Sequence, residues 1–397
     1  MGAHVLDSAG VIVGESRGAS LDSGGRFAGW PINLARLVLA ILIALVVASA
    51  IVPVGRPGSS PESAAARQAR VAAAVSGTKA GVVYDEDIAL YDRSTEKVRS
   101  GQHYYDFIVA DQREAKYPVN PGFAVRLPTL VTINALLGPT GQIVAALLLM
   151  AGIILAWWRK FGDDASLRRI RRLATAVVFF GASLGLNRYY FSLHELWAGG
   201  LLALSFGLHR IGQDGRGGRW IGAWLAAALA LAIREHALPF VLLMGATALW
   251  YRNWREAAAW ALLIAAFAAG LAWHLSIVAQ DVLPTDRHSA PWMVLRGLSG
   301  WLGNVVQSSN LRFLPHWLSG PAVILMTFGW LGWNSKAGLF GFLLAAGYGL
   351  AFMIAGRWDN FYWGAMIAPA MFAGIAFAPL ALKSLIAAAT RHELSAN

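Results

Sequence analysis

Three carboxylates stand together early in the chain, at Asp85, Glu86 and Asp87. A carboxylate can accept the proton of an attacking hydroxyl, and the Asp-x-Asp spacing could instead hold a divalent cation against a phosphate leaving group. The structural alternative is helix capping, because acidic residues at a helix N-terminus accept hydrogen bonds from its free N–H groups. One cap needs only one or two acceptors. Three carboxylates therefore favour a catalytic role, with Asp85 or Asp87 as the base and Glu86 beside them.

The residues that follow predict a short amphipathic helix. Ile88, Tyr91, Thr95 and Val98 recur at steps of three and four residues, which places them on one helical face. Gly101 follows as a C-cap, since glycine readily adopts the left-handed backbone found at helix ends. The carboxylates are thus expected at the start of a helix that ends just before Gly101.

A second set of ionisable residues lies where apolar runs end further along the chain. Charges at such positions are costly in lipid and often mark functional pockets. A guanidinium offers paired donors and keeps its charge, so Arg126, Arg234 and Arg357 are predicted to hold a phosphate. The alternative for each pair is a solvated loop or a local ion pair. The predicted substrate-binding residues are Arg126, His194, Glu195, Arg234, Glu235, His236, Arg357 and Asp359, with Asp286, Arg287 and His288 expected on the same side.

The elements that position these residues are apolar. Hydrophobic residues make up 57% of the 397, charged residues 14%, and the net charge is +11. The basic residues occur in short clusters between apolar runs, which is typical of a membrane protein, so no nucleic-acid partner is predicted. With no cysteine, disulfides and thiolate chemistry are excluded. His274, within an apolar run, is expected to be a packed histidine and not a metal ligand.

The apolar runs predict an all-α polytopic membrane protein. The first run, at 34–54, is about 20 residues long, enough to cross a bilayer. The polar stretch 55–137 is predicted to be a large extracytoplasmic loop carrying short amphipathic helices, followed by a multi-helix transmembrane domain at 138–383. An amphipathic segment at 292–313 is expected to lie on the membrane surface. About ten transmembrane helices are expected, at 34–54, 140–158, 173–190, 195–208, 221–233, 238–250, 259–279, 321–333, 339–356 and 364–382.

The distribution of lysine and arginine predicts the orientation, because short basic loops stay in the cytoplasm. Both tails, 1–33 and 384–397, are therefore placed inside, and the predicted site residues lie outside. The localisation implied is the inner (plasma) membrane. The basic residues that carry the argument are Arg159, Lys160, Arg168, Arg169, Arg171, Arg172, Arg210, Arg216, Arg219, Arg252, Arg255, Lys336, Lys383 and Arg391.

Four segments together resemble the GT-C class of membrane glycosyltransferases. They are the acidic motif at 84–87, the Tyr-Pro and Arg-Leu-Pro-Thr segments at 117–118 and 126–129, Leu-His-Glu-Leu-Trp at 193–197, and Gly-Arg-Trp-Asp-Asn-Phe-Tyr-Trp at 356–363. They span most of the chain. One departure is that about thirty residues separate the first helix from the acid, which follows that helix closely in many members.

The resemblance implies the activity. Members like the mannosyl- and aminoarabinosyl-transferases move a sugar from a polyprenyl-phosphate donor, with inversion, to a lipid, glycan or protein acceptor. An acidic residue of the first outer loop is their base, which here would be Asp85 or Asp87. Two other classes stay open. A secondary transporter would place its ionisable residues near the bilayer midplane in two similar halves, and a non-catalytic envelope assembly protein would need no base.

Overall fold

The computed structural model describes residues 25–55, 86–211 and 220–391. Within these ranges the regular elements are helices, with two isolated β-bridges. Helices are expected in lipid because each one pairs its backbone N–H and C=O groups within a single segment. The α-helices are α1 (Ile32–Ile51), α2 (Glu86–Arg99), α3 (Tyr104–Glu114), α4 (Thr129–Gly162), α5 (Arg171–Ala182), α6 (His194–Leu208), α7 (Ile221–Ile233), α8 (Leu238–Trp250), α9 (Trp254–Asp281), α10 (Gly297–Gln307), α11 (His316–Gly329), α12 (Lys336–Ile354), α13 (Ala368–Met371) and α14 (Ala373–Ala389).

Four helical segments of the described chain are long and apolar enough to cross a membrane: Ile32–Ile51, Gly122–Gly162, Trp254–Asp281 and Lys336–Ile354. In the first and third, only 17% of the most apolar window is buried inside the protein, so most of the apolar surface of these helices is not covered by the described chain. Shorter apolar helices occupy Ile221–Ile233, Glu235–Trp250 and Ala373–Ala389. The protein is therefore membrane-associated and all-helical in its described part, while the full number of ten spans stays a prediction.

Helix α4 is broken near its start by Gly138 and Pro139. Gly138 has φ 63°, a backbone conformation that glycine adopts without strain. Proline disfavours a helical residue before it and offers no N–H to the helix. The part of α4 after the break corresponds to the predicted run at 140–158.

Aromatic side chains fill the core where α4, α6, α12 and α14 meet. The rings of Trp157 and Phe206 lie 4.9 Å apart and those of Phe206 and Phe340 lie 4.8 Å apart. Helices α11 and α14 approach closely nearby, because a Cβ at Gly329 would overlap the carbonyl oxygen of Gly374. Small residues at such crossings let membrane helices pack backbone to backbone.

The loop helix α3 packs on the C-terminal end of α9, while α2 packs mainly on α4. The apolar cluster shared by α3 and α9 includes Phe107 and Ile108 of α3 and Val278 of α9. His274 of α9 joins this packing, because its Nδ1 bonds the Tyr105 hydroxyl at 3.0 Å and its Nε2 bonds the Val125 carbonyl at 3.2 Å. The expected packed histidine is confirmed, with His274 2% exposed.

The prediction of a surface helix over 292–313 was wrong. The segment begins as extended chain, where the Val294 N–H donates to the Ile354 carbonyl at 3.1 Å. Helix α10 then runs inside the protein, against α12 and the 3₁₀ helix Trp358–Met366. Leu302, Val305 and Val306 are at most 2% exposed. Protein side chains, and not lipid, therefore cover the apolar face that the sequence shows.

Candidate functional site

A cavity of about 1420 Å³ collects most of the predicted site residues. Its walls come from α2, the 112–126 segment, the turn at 234–236, the loop at 287–292 and the segment 357–363. A much smaller cavity of about 30 Å³ near Met150 and Trp197 has no charged lining. The predicted residues that line the large cavity are Asp87, Arg126, Arg234, Glu235, His236, Arg357 and Asp359.

Asp87 is the described member of the acidic motif. It lies in the first turn of α2, is half-buried and lines the cavity. Asp85 and the side chain of Glu86 lie outside the described residues, so their catalytic assignment and the cation expected at Asp85 and Asp87 stay predictions. In the described ranges, no three His, Asp or Glu side chains come together as a metal site. Helix α2 is attached to the segment before α6, because the Ser192 hydroxyl donates to the Asp92 carboxylate.

Arg234 is held by two carboxylates at a break between helices. Helix α7 ends at Ile233, and the extended backbone of Arg234 (φ −148°) leads into the 3₁₀ turn Glu235–Ala237 before α8. The Arg234 Nε donates to Glu195 Oε1 at 2.6 Å, and Nη1 donates to Glu235. Arg234 and Glu195 are both 1% exposed. The positive charge is therefore compensated within the protein, while Nη2 is buried without a partner among the described residues.

Arg126 differs, because neutral hydroxyls hold it. Its Nε donates to the Tyr91 hydroxyl at 3.1 Å and its Nη2 to the Tyr362 hydroxyl at 3.5 Å. Burial raises the pKa of Tyr91 and the pKa of Tyr362, so both phenols stay uncharged. No carboxylate of the described chain lies within 4.0 Å of this guanidinium. Of the three predicted phosphate-binding arginines, Arg126 has the charge that is least neutralised by direct partners.

Arg357 fastens two walls of the cavity to each other. Its Nε lies 3.2 Å from Asp359 Oδ1, and its Nη1 donates to the Ala290 carbonyl at 3.0 Å. The Asp359 side chain is 67% exposed, so water screens this ion pair. Arg357 therefore lines the cavity but already serves the loop contact and the pair with Asp359.

His194 and Glu195 lie behind the cavity wall and do not line the cavity. His194 is fully buried, and neither of its ring nitrogens has a partner among the described residues. Its ring meets the edge of Tyr91 with centroids 5.0 Å apart. Glu195 reaches the site through Arg234. Both residues thus act on cavity side chains and not directly on the cavity.

Aromatic side chains complete the lining. The His236 ring lies 4.3 Å from the Trp363 ring, and Trp292, Phe361 and Tyr362 line the same cavity. Such rings offer apolar faces with polar tips. Tyr362 was not among the predicted site residues, because a tyrosine near the end of an apolar run is typical of anchoring at the membrane interface.

Two further basic lining residues, Arg93 and Lys116, were also missed. Arg93 lies on the helix that carries Asp87, but a single arginine on an exposed turn gives no distinctive pattern. Lys116 follows the end of α3 with φ 61°, which no sequence signal announces.

Comparison of the chain with protein-family models, with curated proteins and with solved structures finds no match to any of the three.

Proposed function

We propose that this protein is a membrane glycosyltransferase that moves a sugar from a polyprenyl-phosphate donor to an acceptor hydroxyl. The observation that carries the proposal is the shared cavity, in which the carboxylate Asp87 and the guanidinium Arg126 line one space with aromatic side chains. A base, an anion-binding group and apolar faces are the groups that such a transfer needs. The helices that are long and apolar enough to cross a membrane offer apolar surface that suits the donor's lipid chain.

In this proposal Arg126 binds the donor phosphate. A phosphodiester carries one negative charge, and Arg126 offers one positive charge that its own hydroxyl partners do not neutralise. Arg234 also lines the cavity and keeps one unpartnered N–H group, Nη2, that can share the leaving phosphate. Glu195 and Glu235 position Arg234 and limit its net charge.

The proposed reaction is a single displacement. The acceptor hydroxyl oxygen attacks the anomeric carbon while the bond between that carbon and the phosphate oxygen breaks. The hydroxyl proton passes to the Asp87 carboxylate, and polyprenyl phosphate leaves with the bonding electrons. Arg126 stabilises the negative charge that grows on the departing phosphate. Attack opposite the leaving group inverts the anomeric centre.

The proposed orientation places the cavity on the extracytoplasmic side of the inner membrane, with both termini inside. The support is the basic character of the alternate connections, such as the one at 159–172. Mapping that finds the segment 86–105 accessible from the cytoplasm would contradict the orientation and the supply of donor from the outer leaflet.

The test is transfer of labelled sugar from polyprenyl-phosphate donors by the full chain in proteoliposomes. Asp87→Asn is expected to lower turnover by about a thousandfold or more, since the base is lost while the shape is kept. Asp85→Asn is assayed beside it. Asp106→Asn is the matched control, because Asp106 lies on the neighbouring helix α3 with its side chain 75% exposed and outside the cavity. Transfer by Asp87→Asn at the parental rate would refute Asp87 as the base.

A further inference from the structure

Basic side chains also line the cavity away from Arg126, the arginine to which the proposal gives the donor phosphate. Six Arg and Lys residues line it against four Asp and Glu. Two of those acids, Glu235 and Asp359, already pair with Arg234 and Arg357. The remaining Arg and Lys side chains away from Arg126 form what we call the basic rim, consisting of Arg93, Lys116 and Arg287, all of them exposed.

The basic rim is built by a loop that is clamped to the end of α3. Arg113 donates from Nε to Asp286 Oδ1 at 2.5 Å and from Nη2 to Asp286 Oδ2 at 2.8 Å. The Leu283 N–H donates to the same carboxylate at 2.7 Å. Asp286 is 6% exposed, and its hydrogen bonds from Arg113 lower its pKa to about 2. A bidentate pair of this kind fixes direction as well as distance.

The Arg113–Asp286 ion pair holds the loop so that Arg287 contacts Lys116. The Arg287 Nη1 donates to the Lys116 carbonyl at 3.0 Å, and the Ser289 N–H donates to the Asn120 carbonyl at 2.7 Å. These contacts join the loop after α9 to the segment after α3 along the cavity edge. Lys116 is thereby held through its backbone carbonyl and Arg287 through one N–H of its guanidinium, and both residues are exposed.

The basic rim shares the cavity edge with one exposed carboxylate, Glu114, but none of its basic groups forms an ion pair within the described chain. No carboxylate there lies within 4.0 Å of Arg93, Lys116 or Arg287. Like charges gathered in a cleft repel one another and raise the local concentration of anions. A bound anion relieves that repulsion, so the arrangement suits a ligand with negative charge better than a neutral one.

We propose that the acceptor carries an anionic group, a phosphate on a sugar or on a lipid headgroup, which the basic rim binds while the acceptor hydroxyl reaches Asp87. This inference rests on the proposed function, because it assigns the second substrate of that same cavity. The two anions are separate: Arg126, held by Tyr91 and Tyr362, takes the donor phosphate, and Lys116 with Arg287 takes the acceptor phosphate.

The first test is binding without turnover. The full chain is placed in phosphatidylcholine nanodiscs, and affinities for glucose 6-phosphate and glucose are measured by equilibrium dialysis. Parental protein is expected to bind glucose 6-phosphate at least about tenfold more tightly, and the preference falls as salt rises. The double variant Lys116→Gln, Arg287→Gln is expected to lose most of that preference.

The matched control is the double variant Arg99→Gln, Arg188→Gln, which removes two exposed charges outside the cavity and is expected to keep the preference. Equal affinity of the parent for the two sugars, or an unchanged preference after Lys116 and Arg287 are replaced, would overturn the inference.

A lipid arm identifies the source of the phosphate. If the natural anion is a lipid headgroup, nanodiscs of phosphatidylglycerol weaken the binding of glucose 6-phosphate by about tenfold. If it is a phosphorylated glycan, they leave it bound. Either result supports an anionic acceptor.

A transfer arm separates the two proposals, with labelled donor and either a phosphorylated or a neutral glycan as acceptor. Equal transfer to both acceptors overturns the basic rim as acceptor site and leaves the transferase standing. Phosphate binding at the rim without transfer to any acceptor refutes the proposed function and leaves an anion site.

Discussion

Arg234 forms a buried ionic group with Glu195 and Glu235. Replacing Arg234 is expected to lower the free energy of unfolding more than replacing Glu195. Arg234→Met leaves Glu195 charged, 1% exposed and without its one hydrogen-bond partner among the described residues. Leaving a buried charge unpaired costs about 3–5 kcal/mol. Glu195→Leu is milder, because Arg234 keeps its bond to Glu235, and losing one charged hydrogen bond costs about 1–3 kcal/mol.

The double variant Arg234→Met, Glu195→Leu is expected to be less destabilised than the two single effects together. It contains no unpaired buried charge, and the remaining Glu235 is 25% exposed with the His236 Nδ1 3.3 Å away. The coupling free energy is expected to be at least about 1 kcal/mol. Arg234→Met is therefore expected to lower the free energy of unfolding more per side chain removed than Glu195→Leu or the double variant does.

The assay is reversible unfolding in mixed detergent micelles, followed by tryptophan fluorescence, with the free energy of unfolding compared across the cycle. The exposed pair of Arg99 with Glu96 is the control, with an expected coupling below about 0.5 kcal/mol. If Glu195→Leu destabilises as much as Arg234→Met, or if the two effects add, the account of Arg234 as a shared cation is wrong.

Three further predictions concern the packing and the walls of the site. Gly329→Ala should abolish monodisperse protein in size-exclusion chromatography, because a methyl group there overlaps Gly374, whereas Gly347→Ala, with open space around it, should be tolerated. Because the pKa of Asp286 is lowered, its ion pair with Arg113 has full strength above about pH 3.8 and is lost as the pH falls through about 2. Hydrogen exchange of residues 281–290, corrected for intrinsic rates, should therefore show protection down to about pH 2. The Asp286→Asn variant should lack that protection even at pH 7. Tyr362→Phe should raise the KM for the donor by about fivefold through a less ordered Arg126, and an unchanged KM would contradict the role of that hydroxyl.

The sequence predicted helix ends correctly where a local signal, such as a glycine, a charged turn or a proline, marks them. Helix α2 ends at Arg99, and Gly101 has φ 93°, as the predicted C-cap requires. Helices α7 and α8 have the predicted bounds, because a charged turn at 234–237 and a proline at 239 mark the break between them. By contrast, α5 ends at Ala182, well before the end of the predicted run at 173–190, since the chain tightens there into the 3₁₀ helix Ser183–Leu186.

The sequence does not show whether lipid or protein covers an apolar helix face, nor which charged groups pair with each other. The amphipathic pattern of α10 is the same whether lipid or protein covers it, so its burial against α12 was not predictable. Most of the charges predicted at helix ends line one cavity, but their pairing could not be predicted. Asp286 meets Arg113 from 173 positions away, and nothing in the local sequence links the two.

The walls of the cavity are made at very different times during synthesis. Arg234 meets Glu195 as soon as neighbouring helices are inserted, whereas Arg126 waits for Tyr362, which is translated 236 residues later. A ribosome that stops before residue 357 releases a chain with Asp87 and Arg126 but without the wall that Trp363 and Arg357 provide. Incomplete products therefore lack one wall of the cavity, and under the proposed function they are expected to transfer no sugar.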